Sequence, residues 1–211
     1  MKPAAALRLT VLDALGAYIF ALRPWFLRWG ATQAEFREIF PGDELVLSPK
    51  HHDTHAITID APLATLWPWL IQIGQDKGGF YSYAWLENLA GCHIHNADHI
   101  VAEYQTLKTG DGVRLHPDVP PLRAVIVKPY KAIVLMEKAA AESSSTAFQG
   151  NWGFYVRRVN DMTTRLLIRS RWQWNSGLFP WFGFRCLLEL AHFIMERKML
   201  LNIKSLVERA G

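Results

Sequence analysis

The sequence predicts an α+β fold, in which a curved antiparallel sheet wraps around one long C-terminal helix. Three observations predict it. An alternating strand pattern at residues 55–59 is followed by two helix patterns before any further strand. From 113 to 174 the chain reads as short strands joined by tight turns, and residues 182–210 carry one long helical pattern.

Composition fits a single core. The chain has 211 residues, half of them apolar, and nothing in it demands a second large domain. Nine Trp, eleven Phe and six Tyr are more aromatic surface than a core of this size needs, so part of it is expected to line a cavity. The formal charge is +4, with arginines scattered through the strands and no dense Lys/Arg block, so no nucleic-acid partner is expected. Cys92 and Cys186 share no paired spacing, which favours a reduced, cytoplasmic setting.

Residues 1–29 are read as an N-terminal apolar helix. The run 4–22 is apolar but broken by Arg8 and Asp13, which argues against a membrane span or a cleaved signal peptide. Packing on the domain is the plain expectation. Arg23, Trp25, Arg28 and Trp29, placed just after it, also suit peripheral membrane contact through residues 4–29. Pro24 ends the helix near Leu22. Residues 30–53 carry turn chemistry (Pro41-Gly42-Asp43, Ser48-Pro49) and are expected to be a linker packed on the main domain, which spans 54–211.

That domain opens with His55, Ile57 and Ile59 alternating on one side of a strand. Asp60 stands as the expected N-cap of a first helix, with Pro62 in its first turn, Leu66, Trp69, Leu70 and Ile73 on one face, and a kink at Pro68. A Gly78-Gly79 turn leads to Ser82, the expected cap of a second helix over 83–89. In the next segment, Cys92, His93, His95, Asp98 and His99 invite a Zn or Fe reading, as does the looser set His51, His52 and His55. Neither spacing matches an established signature, and a polar surface loop is the plainer reading of each. No metal or cofactor is expected.

Two strands, 122–129 and 131–138, meet at a Pro129-Tyr130 turn, and AAAESSSTA (139–147) reads as a connection. Two longer strands, 150–159 and 164–175, flank Asn160-Asp161. Trp152, Phe154 and Val156, with Leu166, Ile168, Ser170, Trp172 and Trp174, alternate inward. Arg165, Arg169 and Arg171 fall on the opposite face, which is expected to be solvated. At 1.5 Å per residue the helix over 182–210 would run about 40 Å. Its expected inward stripe is Leu188, His192, Met195, Met199, Ile203, Leu206 and Val207, with His192 a core histidine.

The motifs ITIDAP (57–62), WPWLIQIGQ (67–75), GGFYSYAWLENL (78–89) and IMERKML (194–200), with RWGAT (28–32) and PGDEL (41–45), resemble the START/Bet v 1-like (SRPBCC) superfamily, specifically a bacterial subgroup related to polyketide cyclases and dehydrases. The resemblance covers roughly residues 28–208. It implies a helix-grip fold with a ligand cavity between sheet and C-terminal helix, and says little about chemistry, because such folds host carriers, cyclases and hydrolases alike.

Expected ligand contacts are Trp69, Gln72, Gly79, Tyr81, Tyr83, Trp85, Trp152, Trp172 and Met195, with ordinary core packing as the alternative for each aromatic. Two functions fit. One is binding or transport of a small hydrophobic molecule, a lipid or polyketide-like compound. The other is a cyclase or dehydrase in which Glu87 or His95 moves a proton while Tyr81 or Tyr83 steadies negative charge. A membrane-apposed interaction module is a third. No nucleophile elbow, phosphate loop or HExxH motif is present.

Overall fold

The computed structural model describes residues 16–137, 148–174 and 187–210. Six strands form one antiparallel sheet: β1 (His51–Ile59), β2 (Gly112–Val113), β3 (Leu122–Lys128), β4 (Ala132–Glu137), β5 (Phe148–Asn160) and β6 (Thr163–Trp174), in the order β1-β6-β5-β4-β3-β2. Register shifts between Ala124 and Ile126 and between Arg158 and Asn160 add the local bends that irregular ladders impose. The β3–β4 turn falls at the expected place, with Tyr130 in the left-handed region at φ 57°.

Helical segments surround the sheet. A π-helical turn (Tyr18–Leu22) runs into α1 (Arg23–Phe26), followed by α2 (Gln33–Arg37), α3 (Leu63–Ile71), α4 (Ala84–Leu89) and α5 (Glu189–Ala210). Short α3 and α4 follow the first strand, and α5 lies across β1 and α3 on the concave face. This is the helix-grip arrangement. Ile59, Leu66, Leu70, Phe154, Ile168, Met199 and Ile203 form its core. Among the described residues no helix is long and apolar enough to cross a membrane.

Several local expectations need correction. The cap of α3 is Pro62, not Asp60. Asp60 spends its backbone N–H on Glu208 of α5, at 2.7 Å, and lies in the bend between β1 and the helix. Ser82 does not cap α4 either; its hydroxyl donates to the Met195 carbonyl at 2.8 Å and so fastens that turn to α5. Strand β1 starts at His51, inside the stretch read as linker, because His51 to Trp172 and Asp53 to Ser170 continue the β6 ladder.

The solvated arginine face is also overturned. Residues 30–50 fold over the convex side of the sheet and bury its centre, where Phe40 packs on Ala56, Val134, Tyr155 and Leu167. Arg169 is 1% exposed and donates to Thr54 Oγ1, to the backbone oxygens of Glu35, Phe36 and Glu38, and to Asp43 Oδ2 at 2.7 Å. Arg165 forks onto Glu35, and Arg171 donates to the Val46 carbonyl. Glu35 itself closes a capping box with Thr32 at the start of α2.

The inward stripe of α5 is rotated from the expected one. Glu189, Phe193, Glu196, Met199, Leu200, Ile203 and Val207 are buried, whereas Leu188 is half exposed. Two carboxylates take the inward places because cationic partners on β1 and α1 await them. The run before residue 16, the 139–147 connection, residues 182–186 of the expected helix and Cys186 lie outside the described residues.

Candidate functional site

Between the concave face and α5 lies a cavity of about 500 Å³. Phe80, Ile94, Leu115, Leu122, Trp152 and Met199 supply apolar wall. Its polar side chains are few: Ser82, Glu87, Glu137, Ser170, His192 and Glu196. Apolar walls with a few convergent polar groups are the usual makeup of a small-molecule site.

One end of the cavity rests on a buried network of histidines and carboxylates. Alternation along β1 sends His51, Asp53 and His55 to the concave face, and helical spacing along α5 brings Glu189, His192 and Glu196 opposite them. His51 donates from Nε2 to Asp53 Oδ2 at 2.7 Å and from Nδ1 to Glu189 Oε1 at 2.9 Å. Glu189 is also gripped by Arg23 through two 2.8 Å bonds. His55 donates from Nε2 to the Phe26 carbonyl at 2.8 Å and meets Glu196 Oε2 through Nδ1. Trp152 Nε1 donates to the other Glu196 oxygen at 2.7 Å. Asp53 Oδ1 accepts the Ser170 N–H at 3.0 Å.

These contacts decide the charges. Burial alone would strip the proton from His51, but Asp53 and Glu189 outweigh it and hold the imidazolium up to about 9. His55 shows the same contest, with burial opposed by Glu196 and Asp53, and ends at about 8. Glu196 is drawn down to about 2 because the histidines His192 and His55 overcome its desolvation, and Asp53 is lowered in the same way. Three carboxylates (Asp53, Glu189, Glu196) thus face three cations (Arg23, His51, His55).

His192 stands between this network and the cavity. Its Nε2 is 3.0 Å from Ser170 Oγ, 3.5 Å from Asp53 Oδ2 and 3.4 Å from Glu196 Oε1. Trp172 stacks on His51 at 4.3 Å and meets His192 edge-on at 4.6 Å, so the indole fixes both rings. Ligand atoms of Asp53, His55 and Glu196 all lie within 4.8 Å of one another, the one group of metal-competent donors among the described residues.

A second polar feature lies elsewhere on the wall. Glu87 is half buried on α4, its Oε2 has no hydrogen-bond partner, and burial pushes its carboxyl up to about 7. Glu137, also on the wall, has a buried Oε2 without a partner.

Of the residues singled out from sequence, Glu87, Trp152, Trp172 and Met195 lie on the cavity wall. The others do not. Trp69 and Tyr81 are buried against each other behind the wall, the tyrosine hydroxyl donating to the Trp69 carbonyl at 3.1 Å. Gln72 is buried and pins the 99–105 loop through Val101 and His99. Gly79 takes φ 74° where an added Cβ would meet Asn96 Oδ1 at 2.5 Å, and that oxygen accepts from the Phe80 and Tyr81 N–H groups. The Gly78-Gly79 turn therefore borders the cavity through Phe80 and Ser82. Tyr83 sits under Lys198, Trp85 is exposed, and His95, like His93 and His99, is on the surface.

The sequence reading picks out His51, His52 and His55 but takes a polar surface loop as the plainer account; they lie instead on strand β1, with His51 and His55 buried, and it misses their carboxylate partners. The signal of the β1–α5 network was present: His51-x-Asp53-x-His55 at strand spacing, and Glu189, His192 and Glu196 at i, i+3 and i+7. Reading the strand as beginning near His55 hid the first half.

No family model matches the chain, and no curated protein does. Solved structures are similar in fold. A hypothetical protein, jhp0584, from Helicobacter pylori has 9% identity over 83% of this chain and 98% of its own, with a TM-score of 0.46. Protein MLL2253 from Mesorhizobium loti has 11% identity over 76% and 99%, TM-score 0.43. The Zhui aromatase/cyclase from Streptomyces sp. R1128 has 11% identity over 75% and 94%, TM-score 0.31. At these scores no chemistry is carried over. The class of protein, an α+β helix-grip domain enclosing a cavity, rests on the sheet order and the seat of α5.

Proposed function

We propose that this protein binds a small, largely apolar molecule, lipid or polyketide-like in character, within the cavity under α5. The carrying observation is the cavity itself: about 500 Å³, walled mainly by aromatic and aliphatic side chains. The motif resemblance to the START/Bet v 1-like superfamily supports the same reading. Walls of this kind hold a ligand by removing its apolar surface from water, about 25 cal/mol per Å². Ser170 and His192 give such a ligand a polar end to face. The test is native mass spectrometry of the protein from its own host, with organic extraction of whatever co-purifies. A stoichiometric apolar compound, lost in a folded Met195→Trp variant that fills the wall, is the expected result. An empty protein that takes up no lipid or polyketide-like compound would overturn the reading.

One observation favours a second reading, proton transfer of the cyclase or dehydrase type. Glu87 faces the cavity with an unpartnered oxygen and a carboxyl near 7, the condition of a group that gives and takes protons near neutral pH. His95 and Tyr81 take no part in it, one being on the surface and the other spent on Trp69. Under this reading Glu87→Gln abolishes turnover of the extracted compound and leaves its affinity nearly intact. A variant with full turnover sinks it.

A further inference from the structure

We propose that Asp53, His55, Glu196 and His192 form a binding site for a divalent first-row transition ion at the inner end of the cavity. This goes beyond the binding of an apolar molecule and does not depend on it. Three features of the site carry it.

The first is spacing. His192 Nε2 lies 3.5 Å from Asp53 Oδ2 and 3.4 Å from Glu196 Oε1. An N–H···O bond closes to about 2.7–3.2 Å, so these are loose as hydrogen bonds. Metal–ligand bonds of about 2.0–2.2 Å at tetrahedral angles put neighbouring donors roughly 3.4 Å apart. The three inner donors, on Asp53, His55 and Glu196, share a sphere with no pair more than 4.8 Å apart.

The second is the shell behind the donors. Ligating histidines usually donate their other N–H to a carbonyl or carboxylate, which fixes the ring. The Nε2 of His55 does so, to the Phe26 carbonyl; Nδ1 faces Glu196, and an ion bound there would displace the Nδ1 proton that now joins the two side chains, releasing it to solvent. Each carboxylate is also oriented from behind: Asp53 by the Ser170 N–H and His51, Glu196 by Trp152 Nε1.

The third is access. His192 and Glu196 line the cavity, so an ion between them would lie at its inner wall, where an occupant could add as a further ligand or replace the most exposed donor, His192. Asp53 and His55 close the other side, each 1% exposed. Two imidazoles and two carboxylates without sulfur suit Zn²⁺, Fe²⁺, Mn²⁺ or Co²⁺ rather than copper(I) or an iron–sulfur cluster.

The experiment titrates metal-free protein with Co²⁺, followed by its visible absorption, and with Zn²⁺, followed by thermal unfolding. One equivalent should bind, with Tm rising as Zn²⁺ is added. Asp53→Asn with Glu196→Gln should abolish both signals. If that pair does not fold, two milder variants decide. His192→Ala removes the donor that lines the cavity, and Trp152→Phe removes an orienting bond and should weaken binding about tenfold. A control with His93, His95 and His99 all changed to alanine should bind as the wild type does. No binding by the wild type, binding retained by the double variant, affinity unchanged in both milder variants, or binding lost in the surface control would each overturn the proposal.

Discussion

Glu196 on α5 and His55 on β1, 141 positions apart in the chain, meet in a buried ion pair that ties the C-terminal helix to the edge of the sheet. Both are 1% exposed, and the second Glu196 oxygen is taken by Trp152 from β5. One carboxylate therefore joins three elements whose contact creates the cavity. Removing it strands an imidazolium away from water. Glu196→Ala should cost about 3–5 kcal/mol, the loss expected when one partner of a buried pair is removed. Glu196→Gln keeps an acceptor for Trp152 and should cost less. Urea denaturation in chelator-containing buffer measures both, and an alanine variant within 1 kcal/mol of wild type would show the pair to be idle.

Arg169 does for the convex face what Glu196 does for the concave one. Five acceptors converge on it, three of them backbone oxygens of residues 35–38, so it is the post around which the 30–50 wrap is wound. Arg169→Ala leaves Asp43 buried without its closest cation and frees those carbonyls. The expected result is a loss of about 3–5 kcal/mol and new proteolytic cleavage between residues 30 and 50. Arg157→Ala, on an exposed pair with Glu38, should change stability by less than about 1 kcal/mol. Equal effects of the two would contradict this division.

The two networks mark the limit of what the sequence made legible. Alternation placed Phe154, Val156, Leu166 and Ile168 on the core face, and turn chemistry located the hairpins, because apolar burial leaves a periodic trace. Polar burial leaves a trace that solvated polar residues share: Arg169 and a solvent-facing arginine look alike until the segment that covers them is in place. The same holds for α5, where Glu189 and Glu196 sit at inward positions that a hydrophobic stripe assigns to apolar neighbours. The cavity residues Trp152, Trp172, Met195 and Glu87 stood out by type or motif, whereas Trp69 and Tyr81 share that type and went to core. Only the third dimension separates those two fates.

Glu87 should leave a pH signature. Burial raises its carboxyl from 4.5 to about 7, so the folded protein holds a proton that the unfolded chain releases. Between those values the native state binds more protons, and stability from this group falls as pH rises from about 4.5 to about 7. Below that window it is fully present. Glu87→Gln, which stays neutral, should therefore gain stability over wild type at pH 8 and lose the advantage near pH 4. Thermal unfolding across that range checks it, and a constant difference between the two proteins would place the titration elsewhere.

The described part of the N-terminal segment bears on membrane contact. Phe20 is 82% exposed and Trp25 54%, and Ile19 and Leu22 are also open, all within one stretch of helix. Phe26 and Leu27 from the same stretch are buried, Phe26 being stacked on Phe193, so this segment is anchored to the domain by one face and offers the other. Arg23 is held by Glu189 and is no headgroup ligand. Contact with a bilayer through this face would therefore rest on aromatic insertion more than on charge, and should depend weakly on salt. Phe20→Ser with Trp25→Ser should release the protein from liposomes in a sedimentation assay while leaving it folded, with a small fall in Tm from the lost edge contact of Trp25 on Phe193. Equal sedimentation of variant and wild type would leave residues 4–29 no anchoring role through this face.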